Sequence, residues 1–279
     1  MSNENIICSG TSAGALTASA LVLECDIDNI FEYIIQTYIQ CNDIVGSYLN
    51  TSTSLKDGLN LFVPKNSMEL INNRLIITLS EINQKGLNGL YKNNFVNIKD
   101  IKDSLLASCH IPIFSGILPC SVYCNKNYKM YYDGGLSIPQ PKYIYSNEFN
   151  KKCNKMIITV SSMGRKNTDI SIPLNIPVSW IFCPHSKDIL IKLYNLGKIS
   201  AKEYVQKNRS KLKPFMKDKY KNLSLNDYSA DIPDIVNSID TERNVCIKDE
   251  NNIINRLKHM EKLSYIGIGI FAIYFGIKI

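Results

Sequence analysis

A pentapeptide near the start of the chain, Gly10-Thr11-Ser12-Ala13-Gly14, has the G-x-S-x-G pattern of a serine on a sharp strand-to-helix turn. A predicted strand, Asn5 to Cys8, precedes it, and a predicted helix of small and aliphatic residues, Ala15 to Leu23, follows it. Glycines on both sides of such a serine let the backbone pass closely without Cβ clashes. The Ser12 hydroxyl would then be exposed at a helix N-terminus, where the Ala13 N–H is placed to donate to an oxyanion. The pattern predicts a nucleophile, and the plainer alternative is a serine that only caps the helix.

A serine hydroxyl is a weak nucleophile and needs a base. The chain has three histidines, and their contexts predict interior packing for His110, helix capping for His185 and a charged helix surface for His259. A carboxylate is the other candidate. Asp133, within Tyr132-Asp133-Gly134-Gly135, ends a short predicted strand and enters a glycine turn. That position suits an active-site acid and equally a structural Asx-turn, so the local sequence leaves both interpretations open.

Strands that alternate with helices predict an α/β fold with a mainly parallel central sheet. The further predicted strands are Arg74 to Ile82, Phe95 to Ile98, Lys129 to Tyr132 and Lys155 to Ser161. The further predicted helices are Asp28 to Tyr48, Asp100 to Cys109 with Asp100 as its cap, and Lys187 to Gln206.

The composition narrows the class of protein. Of the 279 residues 45% are hydrophobic, which is enough to bury a sizeable core and argues against global disorder. The nine cysteines are an odd number and no secretory signal is evident, so a reducing compartment with free thiols is expected. Cys120 and Cys124 are spaced like two of the four ligands of a zinc site, but no second Cys or His pair with such spacing follows. Small core residues are the favoured interpretation, and no metal is expected.

The last apolar segment, Leu263–Ile277, carries no charge and predicts contact with a membrane. A spanning helix usually needs about 20 apolar residues, so this segment is short and Lys278 would have to snorkel. An anchor lying in a lipid surface and a helix buried on the domain are the alternatives. Basic residues before it, Arg256, Lys258 and Lys262, would hold that side on the cytosolic face.

The formal net charge is +7, which favours anionic partners such as membrane surfaces or nucleic acid. Much of this charge lies between Lys207 and Lys221. That stretch is interpreted either as a solvated linker or as a segment attracted to an anionic membrane surface. No recognised nucleic-acid-binding motif is present, so a nucleic-acid partner is not expected.

Ser12-Ala13-Gly14 at the turn, followed much later by Asp133-Gly134-Gly135, resembles the patatin-like phospholipase family. The closer resemblance is to its branch with adipose triglyceride lipase and adiponutrin. Four blocks in consistent order carry it, and a weaker match extends to residue 208. The blocks are GTSAGALTASALV (Gly10 to Val22), NRLIITLSEI (Asn73 to Ile82), SLLASCHIPIFSGILP (Ser104 to Pro119) and YYDGGLSIPQP (Tyr131 to Pro141).

The resemblance implies a three-layer α/β/α fold and a serine–aspartate dyad that works without histidine. Ser12 would attack the ester carbonyl of an acylglycerol or phospholipid, and Asp133 would accept its proton. Gly10, Gly14, Gly134 and Gly135 belong to the two motifs, and neither a metal nor an organic cofactor is implied. The surface of a membrane or lipid droplet is the implied partner.

One departure from the family is expected at the N-terminus. Members carry a strand and a glycine-rich oxyanion loop before the nucleophile, which the residues before Gly10 do not supply, so the chain is expected to be truncated there. The alternative to an active hydrolase is therefore a non-catalytic protein that binds lipid surfaces and has lost this loop. A third hypothesis is a histidine-dependent hydrolase that uses Ser12 and His185.

Three regions are predicted from this pattern. Residues 5–208 form the patatin-like domain, residues 209–248 a basic and polar linker, and residues 249–279 a charged helix with the apolar tail.

Overall fold

The computed structural model describes residues 6–40, 44–71, 73–112, 115–116, 118–124, 126–141, 156–163, 168–174, 176, 186–215 and 233–239. These residues fall into two compact units, one within Ser2–Ile144 and one within Tyr145–Arg256, called here the N-terminal and C-terminal units. The predicted domain boundaries at 208 and 248 stay predictions. His185, His259 and the tail Leu263–Ile277 lie outside the described residues.

The N-terminal unit alternates helices and strands, which confirms the predicted α/β class. Its helices are α1 (Ala13–Val22), α2 (Ile27–Gln40), α3 (Ile44–Phe62), α4 (Ser67–Ile71) and α5 (Ile98–Ser108). Its strands are β1 (Cys8–Thr11), β2 (Leu75–Asn83), β3 (Gly86–Lys92), β4 (Cys120–Cys124) and β5 (Asn127–Asp133). A short 3-10 helix, Gly134–Leu136, follows β5 directly.

Strand β2 is the centre of the described sheet, because it pairs with three other strands. β3 runs antiparallel along one edge of β2, from Ile77 to Asn83. β1 is parallel to β2 and pairs with residues that include Ile77 and Thr78, so it must lie on the opposite edge. β5 is antiparallel and pairs with β2 from Leu79 to Glu81, which β3 also flanks. β1 and β5 therefore lie end to end along the same edge of β2.

The described sheet is mixed. Its β1–β2 ladder is parallel, whereas the ladders of β2 with β3 and β5, and of β4 with β5, are antiparallel. The antiparallel β2–β3 and β4–β5 pairs are formed by strands consecutive in the chain, and short turns can join strands only in that direction.

Helices α1 and α5 contact the sheet and each other, so both cover the same face of it. The first six residues of β2 are all buried, as expected for a strand flanked on both edges and covered by helices. Asn97 caps α5, since its side chain accepts a hydrogen bond from the Asp100 N–H at 2.9 Å. The core of the unit is formed by buried side chains of these elements, among them Ala15, Ala18, Val22, Leu75, Ile77, Leu79, Ile101, Leu105, Val122 and Tyr131.

The C-terminal unit has two short parallel strands, β6 (Val160–Ser161) and β7 (Ile170–Ser171), and the long helix α6 (Lys187–Lys207). The Ser186 hydroxyl caps α6 by accepting from the Ile189 N–H at 3.1 Å. Helix α7 (Arg209–Leu212) follows, and residues 233–239 are also helical. A small core joins Ile172, Leu174, Ile189, Leu196 and Ile239.

Several predicted elements need correction. Phe95 to Ile98 is not a strand: it leads into α5, which begins at Ile98 and is capped by Asn97 rather than Asp100. Of the buried strand predicted for Lys155 to Ser161, the residues that the structure describes form a strand at Val160–Ser161 alone, where they pair with the two residues of β7. Ile157 and Val160 are largely exposed.

Two boundaries also move. The first strand is shifted along the chain from Asn5–Cys8 to Cys8–Thr11, so it runs up to Ser12. The single helix predicted from Asp28 to Tyr48 is described as two helices, α2 and α3.

Within the ranges that the structure describes, no helix has the length and apolar character needed to cross a bilayer.

Candidate active site

Ser12 occupies the junction between β1 and α1 in a strained backbone conformation. Its φ of 55° and ψ of −130° lie in a region that residues other than glycine rarely adopt. A Cβ placed on Gly10 would lie 2.0 Å from the Gly14 carbonyl oxygen, so only glycine fits there. Nothing lies within 4 Å of a Cβ placed on Gly14. The steric reason given for the motif therefore holds for Gly10 and not for Gly14.

The backbone of Ser12 is held on both sides. Its N–H donates to Ser108 Oγ at 3.0 Å, and its carbonyl accepts from the N–H groups of Ala15 and Leu16 at 2.8 and 3.3 Å. The Ser12 N–H is therefore already used. The next amide, that of Ala13, belongs to an exposed residue at the first position of α1, where the helix dipole favours negative charge.

Asp133 is the last residue of β5, and it pairs with β2 next to the position where β1 ends. Thr11 pairs with Thr78, and Asp133 pairs with the next residue of β2, Leu79. The Asp133 N–H donates to the His110 carbonyl at 2.9 Å, and the Asp133 carbonyl accepts from Ser80 Oγ at 2.7 Å. These bonds fix the Asp133 backbone independently of the turn that follows it.

The turn after Asp133 packs against the turn that carries Ser12. A Cβ on Gly134 would lie 2.3 Å from the Thr78 carbonyl oxygen, so this position also requires glycine. One on Gly135 would lie 2.9 Å from Asp133 Oδ1 and 3.7 Å from the Thr11 methyl carbon. The Thr11 hydroxyl donates to the Ile138 carbonyl at 3.1 Å, which ties the two turns together.

The Asp133 carboxyl is almost fully buried and faces Ser12. Burial raises its pKa, while hydrogen bonding from the Ser12 side chain and from the Gly135 N–H lowers it. Oδ1 accepts the Gly135 N–H at 2.7 Å, which is the Asx-turn that the sequence allowed. Oδ2 has no hydrogen-bond partner of ordinary geometry among the described residues. The Ser12 side chain thus lies close enough to the Asp133 carboxyl to influence its pKa, while Oδ2 stays without a hydrogen bond of ordinary geometry among the described residues.

Cys109 is a third group at this position that the sequence analysis missed. Burial and the nearby charge of Asp133 raise the pKa of its thiol, while a hydrogen bond with the Ser12 side chain lowers it. Its neighbour Ser108 was also missed, although it is in direct contact with Ser12. Both lie in the block from Ser104 to Pro119, and that location was the only signal in the sequence.

His110 has the interior packing role that its context predicts. Its ring is buried and stacks on Tyr132, with 5.9 Å between the ring centroids and 15° between the planes. Burial lowers its pKa, which favours the neutral ring. His110 contacts the Ser12–Asp133 pair through its backbone carbonyl, which accepts a hydrogen bond from the Asp133 N–H.

The two cysteines considered as half a metal site lie at the ends of β4. Cys120 is partly buried, Cys124 is buried, and both are free thiols. In the part of the chain that the structure describes, no group of His, Cys, Asp or Glu side chains is arranged to hold a metal ion.

Comparison with known proteins shows what residues 7–141 are similar to. Residues 7–141 match the model of the family described as patatin-like phospholipase. The chain is 30% identical over 132 residues to 1-acylglycerol-3-phosphate O-acyltransferase Pnpla3 of Mus musculus, an alignment that covers 46% of this chain and 30% of that protein. It is also 30% identical over 132 residues to the Homo sapiens protein of the same name, of which it covers 26%.

The chain thus spans less than a third of the length of these curated relatives. No solved structure matches it significantly. The matched region contains β1 to β5, both turns and the Ser108–His110 segment between them. Residues 7–141 of this chain are therefore similar to the patatin-like phospholipase family.

Proposed function

We propose that this domain is a lipid acyl hydrolase in which Ser12 is the nucleophile and Asp133 its base. The observation that carries the proposal is the strained Ser12 at the head of α1, whose side chain interacts with the buried Asp133 carboxyl. A strained elbow serine and a buried carboxylate with a raised pKa are features that cluster at catalytic sites.

The chemistry has two halves. Ser12 Oγ attacks the ester carbonyl while Asp133 Oδ2 accepts the hydroxyl proton, and the oxyanion forms beside the Ala13 N–H at the start of α1. Collapse of the tetrahedral intermediate breaks the bond to the alcohol, which takes the proton back from Asp133. A water molecule then attacks the acyl-serine and gives its proton to Asp133. When the bond between the acyl carbon and Ser12 Oγ breaks, Asp133 returns that proton to Oγ and the fatty acid leaves.

Acylglycerols or phospholipids are the proposed substrates, and a lipid surface is the proposed place of reaction. Large apolar side chains are exposed on the elements that follow the motifs: Leu136 directly follows Gly135, and Leu21 lies near the C-terminal end of α1, with 49% and 56% of their surface accessible. Such side chains suit contact with lipid. The proposed anchor Leu263–Ile277 and its basic flank would add to this contact from the cytosolic side.

Acyl transfer is a second candidate, favoured by the names of the two relatives. An acyl-serine that is attacked by water gives hydrolysis, and the same intermediate attacked by the hydroxyl of a 1-acylglycerol 3-phosphate gives transfer. The two activities share Ser12 and Asp133 and differ only in the acceptor.

The test uses the full chain with a fluorophosphonate probe, a nitrophenyl ester and a triacylglycerol emulsion. We expect labelling and fatty-acid release, both lost in Ser12→Ala and in Asp133→Asn. Activity that survives Ser12→Ala would overturn the proposal. A folded protein without labelling or release would favour the non-catalytic lipid-binding alternative. Addition of 1-acylglycerol 3-phosphate separates the two reactions, because transfer converts it to a diacyl product.

A further inference from the structure

The hydroxyl of Ser108 makes two hydrogen bonds at the centre of the site that the proposed chemistry does not use. It accepts from the Ser12 N–H at 3.0 Å and donates to the Thr78 carbonyl at 2.8 Å. Ser108 is fully buried at the last position of α5. One hydroxyl thus joins the strained turn to the central strand, at the residue of β2 that pairs with Thr11.

The segment at the C-terminal end of α5 also contacts Asp133. The carbonyl of His110 accepts from the Asp133 N–H at 2.9 Å. Ser108 and His110 are separated only by Cys109, so one short segment fixes the backbone of both Ser12 and Asp133. A residue held at positive φ without being glycine persists only where its surroundings over-determine it, and the Ser12–Ser108 bond is one such constraint.

We propose that Ser108 is a positioning residue of the Ser12–Asp133 pair, whose hydroxyl holds the Ser12 backbone in the conformation that directs Oγ towards the carboxylate. This inference rests on the proposed function for its effect on rate, although the backbone effect stands without it. Ser108 does not touch the substrate in this scheme. Its loss removes the acceptor of the Ser12 N–H and one donor to the Thr78 carbonyl next to the strained residue, which allows the turn to relax.

The test compares Ser108→Ala with Ser104→Ala. Ser104 is one turn earlier on α5, equally buried, and its hydroxyl donates to the Asp100 carbonyl at 2.6 Å without contacting Ser12 or Asp133. Misplacement of a reacting group by about 1 Å costs roughly 10²-fold in rate, so we expect a kcat loss of about that size in Ser108→Ala with KM unchanged. Ser104→Ala should retain kcat, and Ser108→Thr, which keeps the hydroxyl, should recover part of it.

A second measurement reports on the backbone directly. The amide of Ser12 should exchange with solvent faster in Ser108→Ala than in the parent chain, and at the parent rate in Ser104→Ala. This arm does not need activity, so a parent chain without turnover would overturn the proposed function and still test the positioning role. Should Ser108→Ala fail to fold, Ser108→Cys keeps the shape with a weaker donor and acceptor, and takes its place in both measurements.

Two results would overturn the inference. One is an unchanged exchange rate of the Ser12 amide in a folded variant at position 108. The other is a loss of kcat in Ser104→Ala as large as that in Ser108→Ala, which would show that any buried serine of α5 has the same effect.

Discussion

Thr11 and Asp133 lie end to end against one edge of β2, where they pair with the adjacent residues Thr78 and Leu79. The approach of Ser12 to the carboxylate is therefore set by strand register rather than by the flexible reach of a loop. A slip of either strand by one residue would turn its side chains to the other face of the sheet and separate the pair.

The two motif glycines should respond differently to alanine. In Gly10→Ala the new Cβ would overlap the Gly14 carbonyl oxygen. This oxygen is a backbone atom of α1, so it cannot move aside as a flexible side chain could. We expect a loss of about 3 kcal/mol in the free energy of unfolding, with loss of activity. Gly14→Ala adds a methyl group to open space within α1, and helix propensity favours it by about 0.5–1 kcal/mol. Urea unfolding of the two variants checks this, and equal destabilisation would contradict the steric argument.

The ion pair of Lys92 and Asp100 should be important for stability. The two side chains are 4% and 3% exposed, their N–O distance is 3.1 Å, and Lys92 also donates to the Tyr123 carbonyl. Lys92→Met leaves a buried carboxylate without its cation, so we expect a loss of about 3–5 kcal/mol in the free energy of unfolding. The double variant Lys92→Met/Asp100→Asn should recover a large part of it.

A matched control is the Lys99–Asp103 pair on the surface of α5, in which the Lys99 side chain is 77% exposed. Exposed pairs contribute about 0–1 kcal/mol, so Lys99→Met should be nearly neutral. A comparable loss for Lys92→Met and Lys99→Met would show that burial of the first pair has no energetic consequence.

The pH dependence should report the raised pKa of Asp133. A base acts only when ionised, so kcat/KM should fall as the pH drops through this pKa, with a midpoint above the usual aspartate value of about 3.9. An acid limb at or below that value would contradict the assignment. The control is Asp133→Asn, in which any residual activity should lack this limb.

The same group should make the folded state less stable as the pH rises. Between the ordinary and the raised pKa the native state binds more protons than the unfolded state, so the free energy of unfolding falls with increasing pH in that window. Asp133→Asn keeps an oxygen for the Gly135 N–H and has no charge to bury. We expect it to unfold at the same or a higher urea concentration than the parent at pH 7, and a clear loss of stability would contradict the prediction.

Cys109 lies beside Ser12 and Asp133, yet we expect it not to be the nucleophile. Burial and the Asp133 charge raise the pKa of its thiol, and the thiolate is the reactive form of cysteine. Cys109→Ala should therefore keep fluorophosphonate labelling, as measured by the mass of the intact adduct, whereas Ser12→Ala should lose it. A folded Cys109→Ala variant that is not labelled would give this thiol a direct part in the reaction.

The sequence by itself determined that position 10 must be glycine. The atoms that would meet a Cβ at Gly10 belong to Gly14 and Ala15, so this requirement is decided by sterics within one short segment. The central strand β2 and the helix α5 were also predictable within a few residues, because hydrophobic patterning and capping are local signals. The pairing of Ser12 with Asp133 was predicted only by resemblance to a family, since nothing in the local sequence of Asp133 distinguishes a base from an Asx-turn.

Tertiary structure decided the rest. β3 contains two glycines and β4 two cysteines, so neither has a strong strand signal, and their conformation is imposed by pairing with β2 and β5. Conversely, among the described residues of the apolar run before Ser161 only Val160 and Ser161 pair with another strand, and the run before them is not a strand. The positions of Ser108 and Cys109 beside Ser12 depend on the docking of α5 against α1 and the sheet, and contacts between distant segments leave no periodic signal in the sequence.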